Sequence, residues 1–241
     1  MFLEGPRLVK ELLNTDQTVD IIVWTPTEEA GPVVRAVQGK AKRMYRVSEP
    51  VFALVSDVKS PQGILAIVKR PLWRWDAIVS RTPSPILVLD GVQDPGNLAT
   101  IVRTAEAAGA AGLITTPGTT RLFSPKALRG AMGSTFRLPC LEHRTPEDIH
   151  RELLKASYSL LLASMPSKEK RSTPYTAIDW KRPIALVLGQ EGSGSSPAWN
   201  ALADSCLHIP MRTPVESLNV AAAAAILLYE FVRQNAPLDT P

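Results

Sequence analysis

Apolar residues along this chain follow two rhythms. From residue 85 onward, short all-apolar runs alternate with longer stretches at helical spacing. The runs at 86–89, 112–115, 160–163, 184–188 and 206–209 read as five strands. The stretches at 98–108, 125–132, 146–155 and 217–233 read as helices. Asn97 reads as the cap of the first helix and Gly109 as its stop. Strands apolar on both faces and separated by helices predict a mostly parallel sheet covered on both sides.

Residues 1–70 show a smaller α/β alternation. Gly5-Pro6 opens a helix whose Leu8, Leu12 and Leu13 share a face. The run 19–24 is a strand, 32–37 a short helix, 49–55 a helix and 63–68 a strand. Residues 71–85 hold three prolines with Trp73 and Trp75, the composition of a linker. Those tryptophans fit packing between domains or stacking on a base. The expected division is therefore 1–70, a linker at 71–84, and a larger α/β domain at 85–241.

Charge adds a hint about partners. With 27 Lys+Arg against 23 Asp+Glu the net charge is +4, which favours a polyanionic partner without requiring one. Lys40, Lys42, Arg43 and Arg46 cluster in KAKRMYR, which fits either a solvated face or an RNA contact. Cys140 and Cys206 are far apart and read as buried thiols of a reducing compartment. The longest apolar run, 220–228, is too short for a bilayer, and no signal peptide opens the chain. These features lead us to expect a cytoplasmic protein without membrane or metal.

Chemistry concentrates in three loops at predicted strand ends, where α/β folds place ligands. The first, DGVQDPGN, leads to Asn97, with Arg103 six residues on. The second, GQEGSGS at 189–195, lacks the lysine of a phosphate-binding loop and follows a late strand, so it is not a dinucleotide fingerprint. Its glycines allow close backbone approach to a ligand, and Glu191 suits a cationic or donor-rich one. The third, ESLN at 216–219, offers Ser217 and Asn219 as helix caps. His143, His150 and His208 lie outside these loops, so no Ser-His-Asp arrangement is read.

Taken in order, LVLDGVQDPGNLATIVRTAEAAGA, ALVLGQEGSGSS and IPMRTPVESLNVAAAAAILLYE resemble the three motifs of the SpoU (TrmH-like) RNA ribose 2′-O-methyltransferases, in the SPOUT superfamily. FSPKALRGAMGSTFRLP resembles the segment between the first two motifs. FLEGPRLVKELL and SPQGILAIV resemble the family's small substrate-binding domain. The resemblance implies a C-terminal SPOUT-type α/β domain with a trefoil knot, a small N-terminal α/β domain, S-adenosylmethionine as cofactor, and a homodimer. It implies cofactor contacts at Gly189, Gly192, Ile209, Met211 and Leu218. It carries the family's active-site positions onto Asn97, Arg103, Glu191, Ser217 and Asn219. A guanidinium stays protonated up to a pKa above about 12, so Arg103 is expected to orient the ribose and adjacent phosphate rather than act as a simple base. Glu191 is expected to organise Asn97 and its loop. Ribosomal RNA is the expected substrate, because the N-terminal segment resembles that of the ribosomal-RNA members. The alternative is a non-catalytic RNA-binding or ribosome-assembly factor on the same fold. An ordinary nucleotide-binding α/β enzyme lacks its early glycine fingerprint here.

Overall fold

The structure is a computed structural model and describes residues 1–27, 29–166, 171–190, 192 and 194–235. In chain order the first elements are β1 (Phe2–Glu4), α1 (Pro6–Lys10), β2 (Val19–Trp24), α2 (Ala30–Val37), β3 (Ala41–Arg46), α3 (Glu49–Val55) and β4 (Ile64–Val68). Next come α4 (Trp75–Val79), β5 (Ile86–Asp90), α5 (Pro95–Ala107), β6 (Gly112–Thr115), α6 (Pro125–Ala131), α7 (Ser134–Arg137) and β7 (Cys140–Leu141). The last are α8 (Pro146–Lys155), β8 (Ser159–Ala163), β9 (Thr173–Pro174), β10 (Ile184–Gly189), α9 (Ala198–Leu202), β11 (Ser205–His208) and α10 (Val220–Asn235).

The chain divides into two compact units. The first comprises Met1–Leu72 together with Leu122–Arg137. Its four-stranded sheet has the order β1-β4-β2-β3. One sheet face, with Leu3, Val19, Ile22, Ile64, Ala66 and Val68, packs on Leu8, Val9 and Leu12 and on Val33, Val34 and Val37 of α2. Leu128 of α6 and Phe136 of α7 complete this core. At the unit's surface Glu11 and Arg137 form a partly exposed ion pair at 2.7 Å. The pattern-based division differs here: it left 122–137 with the second domain, because a short helical stretch carries no mark of which core it joins. The basic segment 40–46, read without an element, is largely the edge strand β3.

The second unit comprises Trp73–Arg121 and Leu138–Pro241. Its seven strands run β7-β6-β5-β10-β8-β11-β9, every pair parallel. The inner five are the five predicted from apolar runs. The two edges, β7 and β9, have two residues each and leave no run to read. Residues 71–84 are not a bare linker, because α4 buries Ile78, and Trp73, Trp75 and Val79 pack on this unit's core. Both cysteines are buried and free. Among the described residues no helix is long and apolar enough to cross a membrane. None of their His, Cys, Asp and Glu side chains form a group that could hold a metal ion.

Register sets the position of the site. Asp90 at the end of β5 pairs with Gly189 at the end of β10, and Leu207 of β11 pairs with Ala163 at the end of β8. The carboxyl ends of the central strands therefore finish together, and the loops that follow them converge.

Candidate active site

A cavity of 430 Å³ opens at those strand ends, within the size range of small-ligand sites. Leu162, Leu188, Leu207, Val220 and Leu227 give it apolar walls. The loop after β10 contributes Gly189, Gln190, Gly192, Gly194 and Ser195. The segment after β11 contributes Ile209, Met211, Glu216, Ser217 and Leu218. All five residues expected to contact a cofactor thus line one cavity, as does Ser217. His208, set aside in the sequence reading, lines it too, with Nδ1 3.1 Å from Ser172 Oγ.

The loop after β10 is closed by paired backbone bonds: Gln190 N–H donates to Gly194 O at 3.2 Å, and Gly194 N–H to Gln190 O at 3.1 Å. Gly192 and Gly194 both have positive φ, 87° and 72°. Their backbone shape is open to glycine at little cost. Glu191 lies outside the described residues. Two hydroxyls on the cavity lining, Ser164 Oγ and Ser195 Oγ, are buried with no hydrogen-bond partner among the described residues. Buried hydroxyls are normally bonded, so this pair marks a place for a polar ligand.

The first loop is built differently from its sequence reading. Helix α5 begins at Pro95, and its cap is Asp94, whose carboxylate accepts from Asn97 N–H at 2.8 Å. Proline suits the first helical position because its missing N–H would have no partner there. Asn97 is therefore inside the first turn, and its side chain is released for another use. Asn219 Nδ2 donates to Asn97 Oδ1 at 3.1 Å, joining positions 122 residues apart. Asn219 is also the cap of α10: its Oδ1 accepts from Ala221 N–H at 2.9 Å and from Ala222 N–H at 3.3 Å. Helix α10 thus starts at Val220 rather than at the expected Ser217. Ser217 is exposed on the loop before it. Arg103 is exposed on α5 and forms no hydrogen bond or ion pair among the described residues. The structure thus brings Asn97 and Asn219 together, sets Ser217 on the cavity wall, and leaves Arg103 facing solvent.

Residues 84–229 match the SpoU rRNA Methylase family. The chain belongs to that family. Residues 1–66 match the MRM3-like substrate binding domain. The 23S rRNA (guanosine(2553)-2'-O)-methyltransferase RlmP of Bacillus subtilis is 34% identical over 231 residues, covering 94% of this chain and 86% of the relative. The SpoU methyltransferase AviRb from Streptomyces viridochromogenes superposes with a TM-score of 0.84 at 26% identity, over 97% of this chain and 89% of that one. An AdoMet-bound rRNA methyltransferase from Sinorhizobium meliloti superposes with a TM-score of 0.82 at 30% identity, over 98% and 88%.

One SpoU-family residue of this chain escaped the sequence reading. Asp90 is 7% exposed and ends β5. Its Oδ1 accepts from Thr116 Oγ at 2.7 Å, and its Oδ2 accepts from Ser196 N–H at 2.6 Å. One carboxylate therefore fixes the close of the glycine loop against the first motif. Read as a sequence, Asp90 was simply the first residue of a polar loop. The usable signal was its place directly after four apolar residues, where a strand's last side chain still faces the protein. Asp90→Ala removes the acceptor of the part-buried Ser196 N–H and the shortest of the acceptors around the Thr116 hydroxyl. We expect it to lower stability by about 3 kcal/mol, as hydrogen bonds to a buried charge do. Urea unfolding checks this as a lower midpoint at unchanged slope; a change below about 0.5 kcal/mol would refute it.

Proposed function

We infer that this SpoU-family chain transfers a methyl group from S-adenosylmethionine to a ribose 2′-hydroxyl of ribosomal RNA. The observation that carries the reading is the 3.1 Å bond between Asn219 and Asn97, which ties the cavity's third loop to the first motif. One wall can then hold the donor while the other meets the acceptor.

The residues present fit the cofactor. Apolar side chains suit an adenine, and the Ser164 and Ser195 hydroxyls, without a partner among the described residues, suit the polar groups of a nucleoside. Among the described lining residues Glu216 is acidic and none is Lys or Arg, which suits a sulfonium cation. Bound S-adenosylmethionine supplies a methyl group already activated for in-line displacement, so no side chain is needed as a nucleophile. Gly189, Gly192, Ile209, Met211 and Leu218 hold the donor in this reading. Asn97, Ser217 and Asn219 set the ribose against it, and Glu191 steadies the loop.

Arg103 lies six residues from Asn97, a rise of about 9 Å along α5. At about 100° per residue the two positions are about 120° apart around the helix, and the exposed guanidinium is open to an incoming RNA strand. There it orients the ribose and the adjacent phosphate while the C–O bond forms and the hydroxyl proton leaves.

The reading also includes a trefoil knot in the C-terminal segment, a homodimer and a cytoplasmic location. The SpoU-family match over residues 84–229 supports the knot. The exposed face of α10, with Ala222, Tyr229 and Arg233, supports docking of a second copy. The test is incubation with methyl-labelled S-adenosylmethionine and unmodified ribosomal RNA, with mass spectrometry of the nucleosides. We expect a 2′-O-methylated nucleoside, and sedimentation as a dimer at micromolar concentration. No measurable affinity for S-adenosylmethionine would instead favour the RNA-binding factor without catalysis. Sedimentation as a fully active monomer would remove the dimer.

A further inference from the structure

The sheet of the first unit has one face against its helices and one largely without cover. Strand pairing lays out the second face row by row, because paired residues project to the same side. Phe2 pairs with Ile67, Ile67 with Ile21, and Ile21 with Arg43. The next row is Glu4, Leu65, Val23 and Tyr45. None of these eight residues belongs to the buried core formed with α1 and α2. At one end the face is closed: Glu4 and Leu65 are buried, and the Glu4 carboxylate accepts from Ser56 Oγ and from Asp57 N–H at 2.9 Å. Toward β3 it opens. Ile67 is 37% exposed, Tyr45 is 47% exposed, and Arg43 is exposed. A ring and a guanidinium thus stand at the free edge of a half-buried aliphatic surface.

The same corner is positively charged. Lys42 Nζ donates to Asp20 Oδ1 at 2.7 Å. That bond holds the Asp20 carboxyl below the usual carboxylate range, and Lys69 and Arg43 act on it in the same direction. Lys42, Arg43 and Lys69 therefore surround Asp20, and Arg43 shares its sheet face with Tyr45. An edge strand can carry cations only to block pairing with other strands. Cations beside an exposed ring on a sheet face meet a further requirement, that of a strand whose bases stack and whose phosphates are charged.

We propose that the open sheet face, with Tyr45 as stacking ring and Arg43 and Lys69 as phosphate contacts, holds a single-stranded segment of the RNA substrate. The proposal rests on the reading of an RNA methyltransferase and specifies which surface grips the RNA. The mode is sequence-tolerant: every base has a face to stack, while the charges follow the backbone. The surface then supplies affinity, and the choice of nucleotide is left to the site that holds the donor.

The experiment compares full-length wild type with Tyr45→Ala, Tyr45→Phe and the double variant Arg43→Ala/Lys69→Ala. The probes are an unmodified ribosomal RNA transcript and S-adenosylmethionine, each titrated separately. We expect Tyr45→Ala to weaken RNA binding by about 10-fold and Tyr45→Phe to restore it. The double variant should bind RNA more weakly and reduce the slope of log affinity against log salt by about 1.4. S-adenosylmethionine affinity should match wild type throughout, which also shows the second unit to be folded. RNA affinity and salt slope unchanged in both the Tyr45→Ala and double variants, with wild type still methylating, would overturn the proposal and leave the face to a protein partner. Wild type that binds RNA through this face but transfers no methyl group would overturn the proposed function and leave this inference standing.

Discussion

Gly189→Ala should abolish useful binding of S-adenosylmethionine, with an affinity loss on the order of 100-fold or more. A β-carbon on Gly189 would fall on Gly194 C and Ser195 N. These are backbone atoms, so no side-chain rotation relieves the overlap. Nor can the loop retreat freely, because the Gln190–Gly194 bonds and the bond from Ser196 N–H to Asp90 hold it on both sides. The loop backbone must shift, and losing two hydrogen bonds to the donor at about 1.4 kcal/mol each amounts to about 100-fold in affinity. Gly39→Ala is the matched control, since nothing lies within 4 Å of its added carbon. Calorimetric titration of both proteins is the measurement. A Gly189→Ala protein within threefold of wild type would remove the loop from the donor site.

Arg103→Ala should leave donor affinity within twofold and lower the rate at saturating RNA and donor by about 100-fold. The first half follows from position: Arg103 is not among the residues lining the cavity. The second follows from its assigned work of fixing the ribose and phosphate during transfer, where mis-set geometry costs about that factor. Since Arg103 is exposed and unbonded among the described residues, its removal should leave stability within about 0.5 kcal/mol. That separation makes single-turnover methylation a clean readout. Near wild-type rates would end its assignment to the acceptor site. Arg103→Lys should recover little, because a point charge does not reproduce a planar fork.

Local pattern revealed the parts of this fold that local physics determines. Five apolar runs became the five inner strands because a strand buried on both faces must be apolar throughout. Pro95 was visible, but its consequence was missed: the helix starts there, so Asp94 caps it and Asn97 is freed. The five residues expected to contact the donor line one cavity. What escaped were couplings across the chain. Asp90 meets Ser196 over 106 residues, and Asn97 meets Asn219 over 122. Neither pairing has a local signature, since each residue alone reads as a turn former or a cap. Ser164 and Ser195 were missed for a related reason: an unpaired hydroxyl is recognised only once its surroundings are known.

Leu122–Arg137 has a consequence for the order in which the molecule can form. Leu128 and Phe136 belong to the first unit's core, yet β5, α5 and β6 are synthesised before them. Domains usually fold in turn as the chain leaves the ribosome. Here the N-terminal core lacks two of its buried side chains until Phe136 has emerged, while four elements of the other unit, α4 among them, already wait. A nascent chain halted near residue 85 would expose an unfinished apolar surface, and a gene fragment ending there would encode the same incomplete core. Any exchange of this unit between relatives must carry both pieces, Met1–Leu72 and Leu122–Arg137, in one step.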